Sequence, residues 1–344
     1  MSSPQVAAGR SFERPSLHLD ETVIRQLSRH CLRFRDADDR AAWFQFATTF
    51  PPFLATVGLM LFGAASGAYG LLALFPLAGA LLVRLFGIQH DCGHNSFLSS
   101  KRANRWVGRL LSVFTLTPFG YWSRSHAVHH TTAGDLGRRG IGDVDTLTVD
   151  EYRALTPWAR WRYRVYRHPL LLHVIGPPIY FILFQRSPFG QALPASEAWR
   201  SIMALNLALL VFYGGLVATF GAGAVALAVL PTACIASWVG GWLFFVQHQF
   251  EDTHWEGSDD WSLQLAALSG SSYYVMPKVL QWFTGNIGLH HIHHLNSRIP
   301  NYRLQACLDG EPRLGAISRL SIRESFRCIG LALWDPASRK LVAF

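Results

Sequence analysis

The stretch AAWFQFATTFPPFLATVGLMLFGAASGAYGLLALFPLAGALLV, Ala41–Val83, runs for 43 residues without a single Asp, Glu, Lys or Arg. A spanning helix takes about 20 apolar residues, so the stretch holds two such helices and a tight turn. The small residues at 65–68 (ASGA) are where the chain can reverse, because glycine adopts backbone angles that other residues avoid. A second charge-free window of 50 residues, Ser201–Phe250, repeats the pattern with FGAG at 220–223. Two transmembrane hairpins follow, with spans expected at about 43–64, 69–89, 201–220 and 225–247. Composition agrees: only 15% of the 344 residues are charged, against roughly 25% in soluble domains.

Outside these windows the chain is basic, with a net charge of +9. Lys and Arg gather in residues 1–40, 98–109, 123–167 and 251–344, while both hairpin turns carry none. Positive residues stay on the cytoplasmic side, which assigns residues 1–40 to a cytoplasmic tail and residues 41–344 to a single membrane domain with its active face in the cytoplasm. The amino terminus has no apolar run of the kind a cleaved signal needs. The charge lies along membrane-flanking segments without a nucleic-acid-binding module, so it reads as anchoring to anionic lipid, and nucleic acid is excluded as a partner.

Two apolar segments are too short or too irregular for ordinary spans. Trp106–Trp122 (WVGRLLSVFTLTPFGYW) reads as one interfacial helix, and 168–185 (HPLLLHVIGPPIYFILFQ), with paired prolines, reads as re-entrant or interfacial. The fold class is therefore an all-α integral membrane protein: four spans in two hairpins, interfacial helices, and a histidine-rich cap.

The cap carries the chemistry. Eleven of 15 histidines fall in four groups: HDCGH (His90, His94), HAVHH (His126, His129, His130), QHQFEDTH (His248, His254) and LHHIHHL (His290, His291, His293, His294). Offsets of three and four residues put side chains on one helix face. The first group follows the first hairpin and His248 ends the second, so bundling brings all four to one side of the membrane. Neutral imidazole suits iron, zinc, copper and nickel, and eight or nine donors exceed one ion's shell, so two metals are implied. A solvated histidine loop is the bland alternative for LHHIHHL alone, and four matched groups outweigh it. His18 and His30 read as solvated, and His168 and His173 as headgroup-facing or packing residues. GAGAVA at 221–226 matches a dinucleotide fingerprint but lies between spans, without the strand that site needs. The five cysteines form no CxxC pair, and neither an iron–sulfur cluster nor a disulfide framework is indicated.

With these boxes in view, the sequence resembles the membrane fatty acid desaturases, and within them the methyl-end (delta-12, omega-6) acyl-lipid type of bacteria and plastids. The likeness rests on HDCGHNSF, HAVHHTTAGD, GDVDTLTVDEY, FFVQHQFEDTHW and GNIGLHHIHHLNSRIPNYRL. It implies a bacterial inner-membrane enzyme that uses O2 at a pair of non-haem irons to introduce a cis double bond into a membrane lipid acyl chain. It also implies an outside electron donor, a ferredoxin or a b-type cytochrome, since no redox module is fused to the chain. Carried over box by box, the ligands are His90, His94, His126, His129, His130, His290, His293 and His294, with His248 as the ninth. His254 stands where relatives usually have an aromatic residue, which leaves an exchange between His248 and His254 open. Asp91, Asn286, Glu251 and Asp252 are the nearest polar groups in sequence that could orient the rings.

A hydroxylase or ketolase acting on lipid, carotenoid or alkane carries the same boxes. A metal transporter with histidine-rich loops is the rival of a different class, and the absence of carboxylates from both windows weighs against it.

Overall fold

The computed structural model describes residues 19–188 and 194–344. Among the described residues, four helical segments are long and apolar enough to cross a membrane: Asp39–Ser66, Tyr69–Gly93, Ala195–Phe220 and Ala222–His248. The hairpin turns fall at Gly67 and Gly221, with φ of 82° and 83°, a conformation that favours glycine. Outward-facing Leu59, Phe62, Leu207, Leu210, Val211 and Leu230 remain exposed, an apolar surface too extensive for water and suited to lipid. The molecule is an integral membrane protein built of helices, with a few short strands in the cap.

The spans differ from the expected 43–64, 69–89, 201–220 and 225–247 chiefly at their starts. The first is two helices, Asp39–Ala47 and Phe50–Ser66, interrupted at Thr48–Thr49, because Pro51 and Pro52 lack the N–H groups that would continue the first helix. The third begins at Ala195, six residues before the charge-free window.

Trp106–Trp122 is not one interfacial helix. Lys101–Thr115 ends where Leu116 takes φ 55°, and a new helix, Phe119–Thr132, starts after Pro118 and carries the second histidine box. The 168–185 stretch is a π-turn, Leu170–Ile175, followed by the short helix Gly176–Ile182. With Pro157–Tyr166 it makes a pair bent by 48°. His173 packs here, its ring 4.5 Å from Phe245 and 5.4 Å from Trp242, while His168 is exposed.

Two buried arginines seat the cap on the spans, and short strands tie the cap together. Arg84, the charge that closes the first window, is buried; its Nε donates to Thr49 Oγ1 at 3.1 Å and its guanidinium lies 3.9 Å from the Trp282 ring. Arg167, also buried, donates to Gln249 Oε1 at 2.9 Å and to the Leu331 carbonyl at 2.7 Å, joining the bent pair, the end of the fourth span and the carboxyl-terminal segment. Strand Leu147–Thr148 runs parallel to Leu333–Trp334, which pairs antiparallel with 341–342, and Tyr273–Val275 runs parallel to Arg319–Ser321. His30 is not solvated as expected: its Nε2 donates to the Cys307 carbonyl at 2.8 Å, because helix Glu21–Cys31 packs Leu27 and Cys31 against Ile292 and Cys307. His18 lies outside the described residues.

Candidate metal centre

All nine histidines converge beneath the cap in two groups. His90, His94, His126, His130 and His293 form one; His129, His248, His290 and His294 form the other; within each, one nitrogen per ring lies within 4.8 Å of all the rest. The spacing explains the division. On helix Phe119–Thr132, His126 and His130 are four apart and share a face, while His129 is turned to the second group. Helix His290–Leu295 does the same, sending His293 to the first group and His290 and His294 to the second. His291 points away and its Nε2 donates to the Leu314 carbonyl at 3.0 Å.

The nitrogens are spaced as a cation would space them. Nε2 of His126 is 2.9 Å from His90 Nε2 and 3.1 Å from His130 Nε2, which is 3.1 Å from His293 Nε2. In the second group His248 Nε2 is 3.2 Å from His129 Nε2 and 3.0 Å from His290 Nε2. Two nitrogens at right angles on one ion, with bonds of about 2.1 Å, are about 3 Å apart. A ring nitrogen carries one proton or one lone pair, so hydrogen bonds alone cannot serve a nitrogen with two such neighbours. Nε2 of His94 and of His294 are buried with no hydrogen-bond partner. The donor set fits two borderline metal ions held by neutral nitrogen.

Burial keeps the rings neutral. It drives the imidazoles of His126, His130, His290, His293 and His294 well below the ordinary histidine range, and neighbouring histidines add to the effect. The lone pairs stay available at neutral pH.

The opposite ring edges are held individually. Asp91 Oδ1 sits 3.1 Å from His90 Nδ1, and its Oδ2 accepts from the Asn301 backbone N–H at 2.6 Å and side-chain amide at 2.8 Å. His129 Nδ1 donates to Asp143 Oδ1 at 2.7 Å, and His248 Nδ1 to the Gly270 carbonyl at 3.1 Å. A side chain at Gly270 would meet the Ala266 carbonyl at 2.6 Å. Trp122 stacks on His126 with centroids 4.7 Å apart and 16° between planes, and its other contacts are Phe86 and His90.

Two of the expected orienting groups are elsewhere. Glu251 and Asp252 reach outward to Lys340 Nζ, at 2.9 and 3.2 Å, and remain largely exposed, because the chain leaves the fourth span at His248 and turns to the surface. Asn286 is one step removed: its amide donates to the Asn301 carbonyl at 3.1 Å. The groups missed in the sequence are Asp143, the Gly270 carbonyl and Asn301. Asp143 and Asn301 had each left a trace, in the GDVDTLTVDEY and GNIGLHHIHHLNSRIPNYRL segments. His254 lies outside both histidine groups, with its Nδ1 3.4 Å from Arg339 Nη2.

Comparison with known proteins gives the family. Residues 66–314 match the sequence profile described as fatty acid desaturase. The chain belongs to the fatty acid desaturase family. It is 35% identical to a fatty acid desaturase of Bacillus subtilis over 320 residues, covering 93% of this chain and 90% of the relative. It is 29% identical over 277 residues to an sn-1 acyl-lipid omega-3 desaturase (ferredoxin) of a Synechocystis species, covering 75% and 72%. An sn-1 oleoyl-lipid 12-desaturase of Anabaena variabilis is 25% identical over 299 residues, covering 86% and 81%. This desaturase is accordingly an oxidoreductase of the membrane.

Proposed function

We propose that the desaturase introduces a cis double bond into the acyl chain of a membrane lipid, toward its methyl end, using O2 at two iron ions. The observation that carries this reading is the division of nine buried or half-buried imidazoles into groups of five and four, each with the nitrogen spacing of a single ion. His90, His94, His126, His130 and His293 would hold one iron; His129, His248, His290 and His294 would hold the other. Bound there, the irons would supply the activation of oxygen that an unactivated C–H bond requires.

The protein's own contribution is geometry and dryness. Asp91, Asp143 and the Gly270 carbonyl fix three rings so that Nε2 faces inward, which needs the ring proton at Nδ1. Trp122, with Phe86 beside it and Phe181 packed on Phe86, offers an apolar wall next to His126 and His90, suited to a hydrocarbon and hostile to water.

A lipid substrate and a ferredoxin donor are read from relatives whose names specify acyl-lipid substrates and ferredoxin. We take the histidine face to be cytoplasmic, in a bacterial inner membrane, from the distribution of Lys and Arg. Expression in a lipid-producing host, with fatty acid profiling and metal analysis of the purified protein, tests the proposal. A new dienoic or trienoic acid with about two irons per chain is expected. An unchanged profile, or full activity with stoichiometric zinc and no iron, overturns it.

A further inference from the structure

Helix Lys101–Thr115 has two unlike faces. Inward, Val107 and Leu111 are buried with Leu81, Leu85 and Ile88 of the second span, and Thr115 Oγ1 donates to Oε1 of Gln89, the residue before His90. Outward, Lys101, Arg102, Arg105 and Arg109 are exposed, and among the described residues none of the four has a hydrogen-bond or carboxylate partner for its side chain. The helix contains no acid, so nothing along it balances these charges. Offsets of three and four place Arg102, Arg105 and Arg109 on one side, in a stripe about 10 Å long at 1.5 Å per residue. Trp106 and Leu110, each one position past an arginine, stand beside the stripe and are 62% and 46% exposed.

The neighbours of this helix are membrane spans. At its amino-terminal end Ser99 donates from its N–H and its hydroxyl to Asp39, which opens the first span, at 2.8 and 2.6 Å. At its carboxyl-terminal end the Phe114 ring lies 5.2 Å from Phe50 and 5.8 Å from Phe53 of the first span, and 5.4 Å from Phe212 of the third. Tyr213 Oη, also on the third span, donates to the Val113 carbonyl at 3.3 Å. The helix therefore descends from the membrane surface into the gap between the first and third spans, at the end of the bundle that carries the histidine centre. In that place an outward face meets lipid. Guanidinium groups pair with phosphate through two N–H groups at once, tryptophan settles at headgroup level, and leucine suits the acyl chains. An acidic protein would match the charges but would leave Trp106 and Leu110 to be covered by something other than lipid.

We propose that the outward face of helix Lys101–Thr115 binds an anionic phospholipid, with its phosphodiester held by Arg102, Arg105 and Arg109 and its chains lying against Trp106 and Leu110. The site selects by net charge: a zwitterionic headgroup brings its own cation toward the arginines, and an anionic one does not. A phospholipid held there shares the leaflet of the histidine centre, so the stripe governs which lipids gather beside it. The assignment depends on neither bound metal nor turnover, and it stands or falls separately from the function proposed above.

The test places the full-length protein in nanodiscs of equal parts phosphatidylglycerol and phosphatidylcholine and counts, by native mass spectrometry, the lipids that each chain retains. Wild-type protein is expected to retain phosphatidylglycerol over phosphatidylcholine by about fivefold or more, the ratio that a single cation near an anionic surface supplies. The combined Arg102→Gln, Arg105→Gln and Arg109→Gln variant is expected to fall below about twofold. A charge-matched control, Arg29→Gln with Arg33→Gln and Arg323→Gln at exposed positions elsewhere, is expected to keep the wild-type ratio. A second measurement needs no variant: photoactivatable phosphatidylglycerol is expected to label the 101–115 peptide of wild-type protein about fivefold more than photoactivatable phosphatidylcholine does. Equal retention or equal labelling of the two lipids overturns the site. Equal loss in both variants overturns it in favour of diffuse attraction. Undiminished phosphatidylglycerol retention in the 102/105/109 variant, with weakened binding of a reduced ferredoxin, overturns it in favour of a protein partner.

Discussion

Asp143 Oδ1 lies 2.7 Å from His129 Nδ1, on a turn where Gly142 has φ 72° and a side chain would come within 3.1 Å of the His129 Cβ. The pair joins the loop after the second box to the second histidine group. Removing a carboxylate that orients a metal-binding imidazole costs about 10–100-fold in metal affinity or activity. Asp143→Asn is expected to lose that much desaturation and part of its metal, measured by elemental analysis at limiting iron. Glu251→Gln, which alters only an exposed pair with Lys340, is expected to stay within about twofold. Equal effects of the two substitutions would refute the orienting role.

The bent segment between residues 157 and 186 decides the topology. If it does not cross, the stretch before the third span is cytoplasmic together with the histidine boxes. A cysteine at exposed Ser196, in a variant with the half-buried Cys234 replaced by serine, is then expected to react with an impermeant maleimide only from the cytoplasmic face. Reaction from the opposite face in an active protein would make 157–186 a fifth crossing.

Acid should loosen the cap before the metal is considered. Burial lowers His291 to about 4 and holds His126, His130, His290, His293 and His294 well below the ordinary histidine range. The unfolded chain titrates near 6.5, so below that pH it binds more protons than the folded one. Stability is then full above about pH 6.5 and falls as the pH drops from there toward the folded values. Thermal melts of the metal-free protein in detergent are expected to show Tm constant between pH 7 and 8 and falling steadily from about pH 6.5 to 4.5. A flat profile across that range contradicts neutral, buried rings.

The hairpins were legible because a membrane span writes itself in composition: the two charge-free windows and the turns at Gly67 and Gly221 needed no tertiary information. The convergence of the boxes was legible for a similar reason, since offsets of three and four fix a helix face whatever that face meets. The orienting groups were not. Proximity in sequence pointed to Glu251 and Asp252, but the helix ends at His248 and carries them outward, whereas Asp143 reaches His129 only through a turn 14 residues away. Nor could composition reveal the break at Leu116, which places the second box on a helix of its own, or the docking of the amino-terminal helix that brings His30 to the Cys307 carbonyl.

His248 and His254 pose the sharpest test of the ligand set. His248 ends a 27-residue helix, its Nδ1 is held by the Gly270 carbonyl, and its Nε2 stands 3.2 and 3.0 Å from those of His129 and His290. A ligand must be held to within about 0.5 Å, and the helix and the Gly270 carbonyl both restrain this ring. His254 faces Arg339 and sits outside both groups. His248→Ala leaves three imidazoles for the second ion, so metal content is expected to fall from about two ions to about one, with desaturation abolished. His254→Tyr is expected to retain both ions and, with a hydroxyl in place of the imidazole, to keep desaturating. Expression must be matched by folded protein, because a lost ligand also weakens the fold. Two ions and product in His248→Ala, with one ion and no product in His254→Tyr, would reverse the assignment and make His254 the ninth ligand.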